Sequence, residues 1–461
     1  MSGPPVTPQP SRGDREGSLE APTRYPLAWR TEAFYDPIAL EKELERVFDI
    51  CHGCRRCFSL CNAFPTLFDA VDATATGEVA ALDKKSFAEV IDHCYLCDMC
   101  FMTKCPYVPP HPFNVDFPHL MLRAKASRAR SGGLAFAERV LAATDTVGKL
   151  AGIPVVVEAV NTVNASRAGR ALLERTLGID RTAPLPKYHA RTARKRLAAL
   201  ATVAEAGAQE AVLPARRAVT AGRVALFTTC YGNYNDPGLD EDLVAVFEHN
   251  DIEVVRLAEE RCCGMPRLEL GDLAGVAKLR ERNIPQLAAA AAAGFDLVAP
   301  VPSCVLMFKQ ELPLMYPEDE SVRRVAERMF DPFEYLMLRH AAGALRTDFK
   351  CPLGKVSYHV PCHLRVQNIG LKTRDLLKLV PGTSIDTIER CSGHDGTYGV
   401  KARFRAVSVR IGRPVVERVQ AAECDHYASD CPMAGEQIAS GLTGARAPEH
   451  PLRLLRVAYG I

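Results

Sequence analysis

Apolar positions Ile38, Leu40, Leu44, Val47 and Phe48 recur at roughly helical spacing and run into Cys51. Asp36 and Pro37 supply an N-cap and a first-turn proline, so a helix is predicted to start there. A second helix is predicted from Ser86, with Glu89 in the capping-box position, running into Cys94. Each of the first two cysteine groups thus follows a short helix. Ahead of them, residues 1–30 are rich in Pro, Gly, Ser and Arg and poor in apolar side chains, the composition of a disordered tail.

From residue 223 the pattern alternates between strand and helix. Buried strands are predicted at Val224–Thr229, Ile252–Leu257 and Phe295–Pro300, each leading to a cysteine: Cys230, Cys262–Cys263 and Cys304. The helical sequence before the third strand is predicted to break at Pro285. The pattern then repeats. Strands at Val356–Val360 and Ile385–Ile388 precede Cys362 and Cys391, and a helix over Ala402–Ala421 and a short strand precede Cys431. The corresponding cysteines are 132, 129 and 127 residues apart, which marks an internal repeat. Strand–helix alternation implies parallel sheets, whose ligands sit beyond the carboxyl ends of the strands. The three cysteine positions of each half are therefore predicted to converge.

Between these regions, residues 122–222 contain no cysteine and carry 17 Lys and Arg against 7 Asp and Glu. They read as helices broken at Pro154 and Pro184–Pro186. One reading is a solvated helical linker; the other is a basic amphipathic surface for an anionic membrane or acidic partner. Over the whole chain of 461 residues the net charge is only +2 and hydrophobic residues make up 48%, so global disorder and a nucleic-acid partner are not expected. No apolar run has the length and lack of charge needed to span a bilayer, the nearest, Leu287–Phe308, being interrupted by Asp296, Pro300 and Pro302. No secretory signal is read at the N-terminus. The 17 cysteines are thus expected to serve metal or redox chemistry rather than disulfides.

Cys51, Cys54, Cys57 and Cys61 follow a C-x2-C-x2-C-x3-C spacing, and Cys94, Cys97, Cys100 and Cys105 a C-x2-C-x2-C-x4-C spacing ending in Pro106. Thiolates two residues apart on one loop can each reach a different iron of a cubane. The runs resemble those of two-cluster ferredoxins, where the fourth cysteine of each run ligates the other cluster. That resemblance implies one [4Fe–4S] cluster on Cys51, Cys54, Cys57 and Cys105, and a second on Cys94, Cys97, Cys100 and Cys61. Two structural zinc sites are the competing use of these thiols. Asn62 stands where proline usually follows the fourth cysteine, and the second run has four residues before Cys105 where three are usual. The long spacer from Asn62 to Cys94 departs from compact βαβ ferredoxins. With its helices it resembles the α-helical ferredoxin domain of heterodisulfide reductase and succinate dehydrogenase relatives.

The later cysteines resemble the cysteine-rich "CCG" family. Cys230 is followed by Cys262-Cys263-Gly264-Met265-Pro266 and then by Val301-Pro302-Ser303-Cys304, with Val301 in place of the first cysteine of a closing C-x-x-C. Four thiols remain, one fewer than the family's five-cysteine, non-cubane arrangement. The second copy runs His359-Val360-Pro361-Cys362-His363, Cys391-Ser392-Gly393 and Ser429-Asp430-Cys431-Pro432, leaving three thiols. Cys424, His363, His394 and Asp430 are candidates to complete that site, and a metal-poor structural half is the alternative. Cys351 lies outside the repeat, and a lone Cys424 is more often a small buried hydrophobe.

Two ferredoxin-type runs followed by two CCG repeats resemble the heterodisulfide-reductase-related iron–sulfur proteins, among them the iron–sulfur component of anaerobic glycerol-3-phosphate dehydrogenase; Leu185-Pro186-Lys187-Tyr188 in the basic region also fits that type. The resemblance implies an α + α/β architecture. A tail (1–30) and an α-helical two-cluster ferredoxin domain (36–121) precede a basic helical connector (122–222) and two Rossmann-like CCG domains (223–350 and 351–445). It implies an electron-transfer subunit with two [4Fe–4S] clusters, a third iron–sulfur cluster as an option in the first repeat and a further metal in the second. Its partners are expected to be a dehydrogenase or flavoprotein and a membrane quinone or other acceptor, and its location cytoplasmic or peripheral on the inner face of the cytoplasmic membrane. No Gly-rich nucleotide fingerprint is found near Gly264 or Gly393. Two alternatives stay open: a thiol/disulfide redox enzyme like heterodisulfide reductase, and a zinc-stabilised interaction protein.

Overall fold

Asp36 accepts hydrogen bonds from the amides of Ile38 and Ala39 and so starts the helix Pro37–Cys54. Leu40, Leu44, Val47 and Phe48 of that helix are buried, but Ile38 is exposed and lies off the stripe. The computed structural model describes residues 22–207, 220–444 and 447–461. It divides into two units, 1–124 and 125–461.

The described part of the first unit contains helices and no strand. After Pro37–Cys54 come Ala63–Asp72, Lys84–His93, the short Met99–Thr103, and Phe117–Gly132, within which the division falls. Phe48, Phe64, Phe68 and Phe117 form its aromatic core. The second of the predicted helices starts two residues earlier than the capping-box reading, because Asp83 rather than Ser86 caps it; the Asp83 carboxylate accepts from the Ser86 amide at 2.7 Å. The expected tail also ends earlier than residue 30. Leu27 is buried, and Arg24 donates to both carboxylate oxygens of Asp98 (2.7 and 2.9 Å) and to Asp116 (2.8 Å). Residues 1–21 lie outside the described residues.

The second unit holds two parallel sheets. In the first, β1 (Arg223–Leu226), β2 (Glu253–Arg256), β3 (Asp296–Val298) and β4 (Met329–Phe330) lie in the order β2-β1-β3-β4. Val224 stands opposite Val254 on one side and Asp296 on the other. The second sheet has β5 (Gly354–His359), β6 (Thr383–Ile388) and β7 (His426–Ser429) in the order β6-β5-β7. In both, the first strand of the repeat is central and its neighbours run parallel, as the alternating pattern requires. Pro285 does not break its helix, which runs without interruption from Leu273 to Ala292. Ile284 and Leu287 on either side of it are buried, so packing outweighs the local cost of a proline, about 3 kcal/mol.

The connector is not a solvated linker. Its helices Phe136–Ala142, Thr144–Ala151, Val156–Ala165 and Arg167–Leu177 pack into the second unit. Gly148 lies so close to Tyr234 that a Cβ there would be 2.3 Å from the ring. Arg170 is buried and donates to the carbonyls of Asp180, Arg181 and Ala183. The Asp180 amide donates to the Val400 carbonyl at 2.8 Å, tying the connector to the second repeat. Residues 208–219 of the connector lie outside the described residues.

Candidate metal centres

Cys51 and Cys54 close the helix Pro37–Cys54, and Arg55 turns the chain with φ of 51° to bring Cys57 back beside them. In the second run, Leu96 and Asp98 have positive φ of 55° and 59° and coil the loop from Cys94 to Cys100. Asp98, held by Arg24, fixes that coil. Cys94 and Cys100 are buried and the other six thiols of this unit are half-buried.

The neighbours of these thiols follow a crossed pattern. Burial pushes the Cys51 thiol well above its ordinary range, and the sulfurs of Cys105, Cys57 and Cys54 push it further. Burial, with Cys105 and Cys54 adding, brings Cys57 up to about 11. Cys100 is raised by burial first and then by Cys94, Cys61 and Cys57. Cys61, Cys94, Cys97 and Cys100 line one cavity with about 280 Å³ of empty space, part of it open to solvent. Cys105 therefore sits with the first run and Cys61 with the second. Buried thiols that raise one another stay protonated by themselves; a bound cation reverses that preference and makes each a thiolate ligand. The donor chemistry fits iron–sulfur ligation.

In the first repeat, Cys230 follows β1 at the start of the helix Cys230–Tyr234, Cys262 and Cys263 lie in the loop after β2, and Cys304 follows β3 in the helix Pro302–Leu306. They meet beyond the carboxyl ends of the strands. The sulfurs of Cys230 and Cys262 are 3.9 Å apart. Cys230 is raised by its hydrogen bond to Cys262, by burial, and by Cys262 and Cys304; Cys263 is raised by its hydrogen bonds to Cys262 and Cys304 and by burial. Cys262 is lowered by hydrogen bonds from Cys230 and Cys263. Donors from Cys230 and Cys263 thus converge on Cys262. Val301 is buried in the fifth position, so the thiol/disulfide alternative lacks one of the sulfurs it calls for.

Two connector residues border this site: Asp145, which was not singled out from sequence, and Tyr188, which entered there only as part of the Leu185-Pro186-Lys187-Tyr188 stretch. Asp145 accepts from the Cys262 amide at 2.5 Å, and its own pKa is raised by burial and by the Cys262 charge. Tyr188, in the Leu-Pro-Lys-Tyr stretch, is raised by burial and by Cys230. Asn283 pins the loop from the other side, accepting from the Arg261 amide at 2.8 Å and donating to the Cys262 carbonyl at 3.0 Å.

In the second repeat, Cys362 follows β5, Cys391 follows β6 and Cys431 follows β7 as the N-cap of the helix Pro432–Ala439. Cys362 and Cys391 are joined by Asp395, a carboxylate absent from the sequence-based candidates; the three donor atoms all lie within 4.8 Å of one another. Burial pushes Cys431 up to about 12; the amides of Ala434 and Met433 oppose this, while Asp395 and Asp430 add to it. Of the candidates for completing this site, Asp430 accepts from the Tyr358 hydroxyl at 2.5 Å and the Thr373 hydroxyl at 2.8 Å. His363 faces the first repeat, its Nδ1 2.8 Å from the Ser303 hydroxyl. Cys424 packs in an apolar cluster with Ile388, Val415, Val419, Tyr427 and Ile438. Cys351 is exposed.

The sequence profile of the family described as "Cysteine-rich domain" matches residues 224–309 and 356–438. The chain carries two cysteine-rich domains. Both matched segments begin in the central strand of a sheet, and each domain contributes its cysteines from three parallel strand ends. The chain is also similar to one of the subunits of anaerobic glycerol-3-phosphate dehydrogenase of Escherichia coli (strain K12), at 29% identity over 323 residues, 69% of this chain and 76% of the relative. It is similar to one of the subunits of fumarate reductase (CoM/CoB) of Methanothermobacter marburgensis, at 27% identity over 247 residues, 51% of this chain and 46% of that protein. An iron–sulfur protein of Methanocaldococcus jannaschii matches at 26% identity over 223 residues, 48% of this chain and 42% of its own. The two cysteine-rich domains are thus related to those of heterodisulfide-reductase-like iron–sulfur proteins.

Proposed function

We propose that the chain is an iron–sulfur electron-transfer subunit, relaying electrons from a flavin-dependent dehydrogenase partner to a membrane quinone or another acceptor. The observation that carries this reading is the grouping of thiols: two crossed quartets in the first unit and a third quartet in the first cysteine-rich domain. Its relatives named as subunits of a dehydrogenase and of a reductase support a partner protein. In this reading Cys51, Cys54, Cys57 and Cys105 hold one [4Fe–4S] cluster, and Cys61, Cys94, Cys97 and Cys100 a second. Cys230, Cys262, Cys263 and Cys304 hold a third iron–sulfur centre. Bound clusters supply one-electron steps, at potentials set by ligands, hydrogen bonds and exposure. The chain's own part is to fix the ligands. Arg24 neutralises Asp98 in the second loop, and Asp145 and Asn283 hold the backbone around Cys262. Burial of Cys94, Cys100, Cys262, Cys263 and Cys304 keeps water from those sulfurs.

The site of action is proposed to be the inner face of the cytoplasmic membrane, with the chain bound peripherally. Leu150, Ile153, Val155 and Val156 are exposed, Val155 by 86%, around the bend between Thr144–Ala151 and Val156–Ala165. Apolar side chains at such a bend suit an interfacial contact. No single helix among the described residues is long and apolar enough to cross a membrane. Failure to float with vesicles containing anionic lipid would remove the membrane contact from the proposal.

The relay is tested by iron, sulfide and zinc analysis of anaerobically purified protein, with electron paramagnetic resonance before and after reduction. About eight irons with interacting cubane signals support two clusters, and about twelve add the third. Zinc without iron overturns the relay and leaves a structural metalloprotein.

A further inference from the structure

We infer that the second cysteine-rich domain holds a single zinc-class divalent ion, ligated by Cys362, Cys391 and Asp395. The assignment needs only residues of this domain and stands apart from the relay reading. It begins with a substitution between the two copies. In the first, the loop after β2 offers two adjacent thiols, Cys262 and Cys263. In the second, Ser392 replaces the latter, and the missing donor returns three residues later as the carboxylate of Asp395.

The loop is built to deliver that carboxylate. Gly393, Asp395 and Gly396 have positive φ of 75°, 32° and 52°, which folds Cys391–Gly396 back on itself. A Cβ on Gly393 would stand 2.1 Å from the Ser408 carbonyl, so the close approach admits only glycine there. The Gly393 amide donates to the Cys391 sulfur at 3.3 Å, and the Asp395 Oδ2 lies 3.3 Å from the same sulfur. Donors at ~2.3 Å (sulfur) and ~2.1 Å (oxygen) from one tetrahedral ion stand about 3.6 Å apart. The observed spacing is close to that, and the Cys362 sulfur completes a triangle with no side beyond 4.8 Å.

The charge balance points the same way. Two thiols and a carboxyl share one site, Cys362 buried and Cys391 and Asp395 half-buried, and Glu269 brings a second carboxyl toward Asp395. Burial of such a group without a cation is costly. Two sulfurs and one oxygen suit zinc, whereas calcium and magnesium take oxygen alone. Cys424 is taken up by the apolar core and Cys351 is exposed, so the three thiols left after the strand ends fall short of the four that a cubane takes. The Nε2 of His394, next in sequence to Asp395, is buried and makes no hydrogen bond.

The test uses the full chain, purified anaerobically with its iron loaded, and mass-spectrometric counting of zinc and iron in the same samples. Wild-type protein is expected to carry about one zinc per chain that Asp395→Asn and Cys391→Ser both lose, with iron unchanged and Cys351→Ser identical to wild type. Zinc retained in full by Asp395→Asn, or iron lost in Cys391→Ser, overturns the assignment. Cobalt exchanged into wild-type protein guards against a variant that misfolds. A thiolate-to-cobalt charge-transfer band is expected in wild type, with ligand-field bands that shift in Asp395→Glu; absence of the charge-transfer band overturns the site. Loss of the relay reading would appear in the iron count alone, so the two failures are distinguishable.

Discussion

Acidification is predicted to loosen the C-terminal helix Pro451–Tyr459 through one side chain, His450. Its ring is buried between the two repeats, with Nε2 3.2 Å from the Pro300 carbonyl and 3.1 Å from the Asp430 carbonyl. Its Nδ1 accepts the Leu452 amide at 3.2 Å and caps the helix. Only the neutral ring with hydrogen on Nε2 meets all three partners, because protonation of Nδ1 turns the cap into a donor facing a donor. Burial, opposed in part by the two carbonyls, accordingly lowers its pKa from 6.5 to about 4. A folded pKa below the unfolded value favours the native state at high pH. The contribution is complete above about 6.5 and is lost as pH falls through that value toward 4. Between pH 7.5 and 5 the two titration curves differ by about 2 kcal/mol, or roughly 30-fold in the opening equilibrium. Hydrogen exchange of the amides in 451–459 reads that equilibrium directly once intrinsic rates are corrected. Wild-type protection is expected to fall by about this factor across that range, and His450→Gln, which removes the titrating ring, to lose most of the dependence. Equal pH dependence in wild type and variant would refute the reasoning.

Cys97→Ser is expected to cost one cluster, about four irons, and to leave the other, because Cys97 lines the cavity of the second quartet; an unchanged iron count would show that the grouping is wrong. Arg24→Ala leaves Asp98 buried without its guanidinium, a loss of about 3–5 kcal/mol, and is expected to speed release of iron from the second quartet before the first, followed by chelation kinetics. Release at equal rates would place Arg24 outside the support of that loop. Gly148→Ala drives a methyl into Tyr234 and is expected to destabilise the second unit by about 1–3 kcal/mol, measured by urea unfolding; no change would mean that the connector does not pack there.

The strand ends and their cysteines were legible because two regularities coincide: β-period burial and a thiol just after each apolar run. Cys230, Cys362 and Cys431 needed no knowledge of tertiary structure to be placed. Asp395 was illegible for the opposite reason. It lies four residues from Cys391 on a loop whose path depends on Gly393 packing against Ser408, a contact that arises only when the helix Arg405–Ala421 is in place. Asp145 is a similar case, since it lies 117 residues from the amide it accepts. The helix through Pro285 shows the same limit for secondary structure, where the burial of Ile284 and Leu287 overrides a local signal. The basic character of residues 122–222 was read correctly as charge but not as architecture, for Arg170 spends its charge on backbone carbonyls inside the unit.

The helix Thr144–Ala151 gives the connector a length scale. Asp145 at one end grips the Cys262 amide, and the exposed apolar residues of the bend begin near the other, five residues on at Leu150. At 1.5 Å per residue that separation is about 8 Å along the axis. Whatever surface seats against Ile153 and Val155 is therefore one short, rigid rod away from the sulfur ligands of the first cysteine-rich domain. Tilting that rod at its outer end displaces the carboxylate at its inner end.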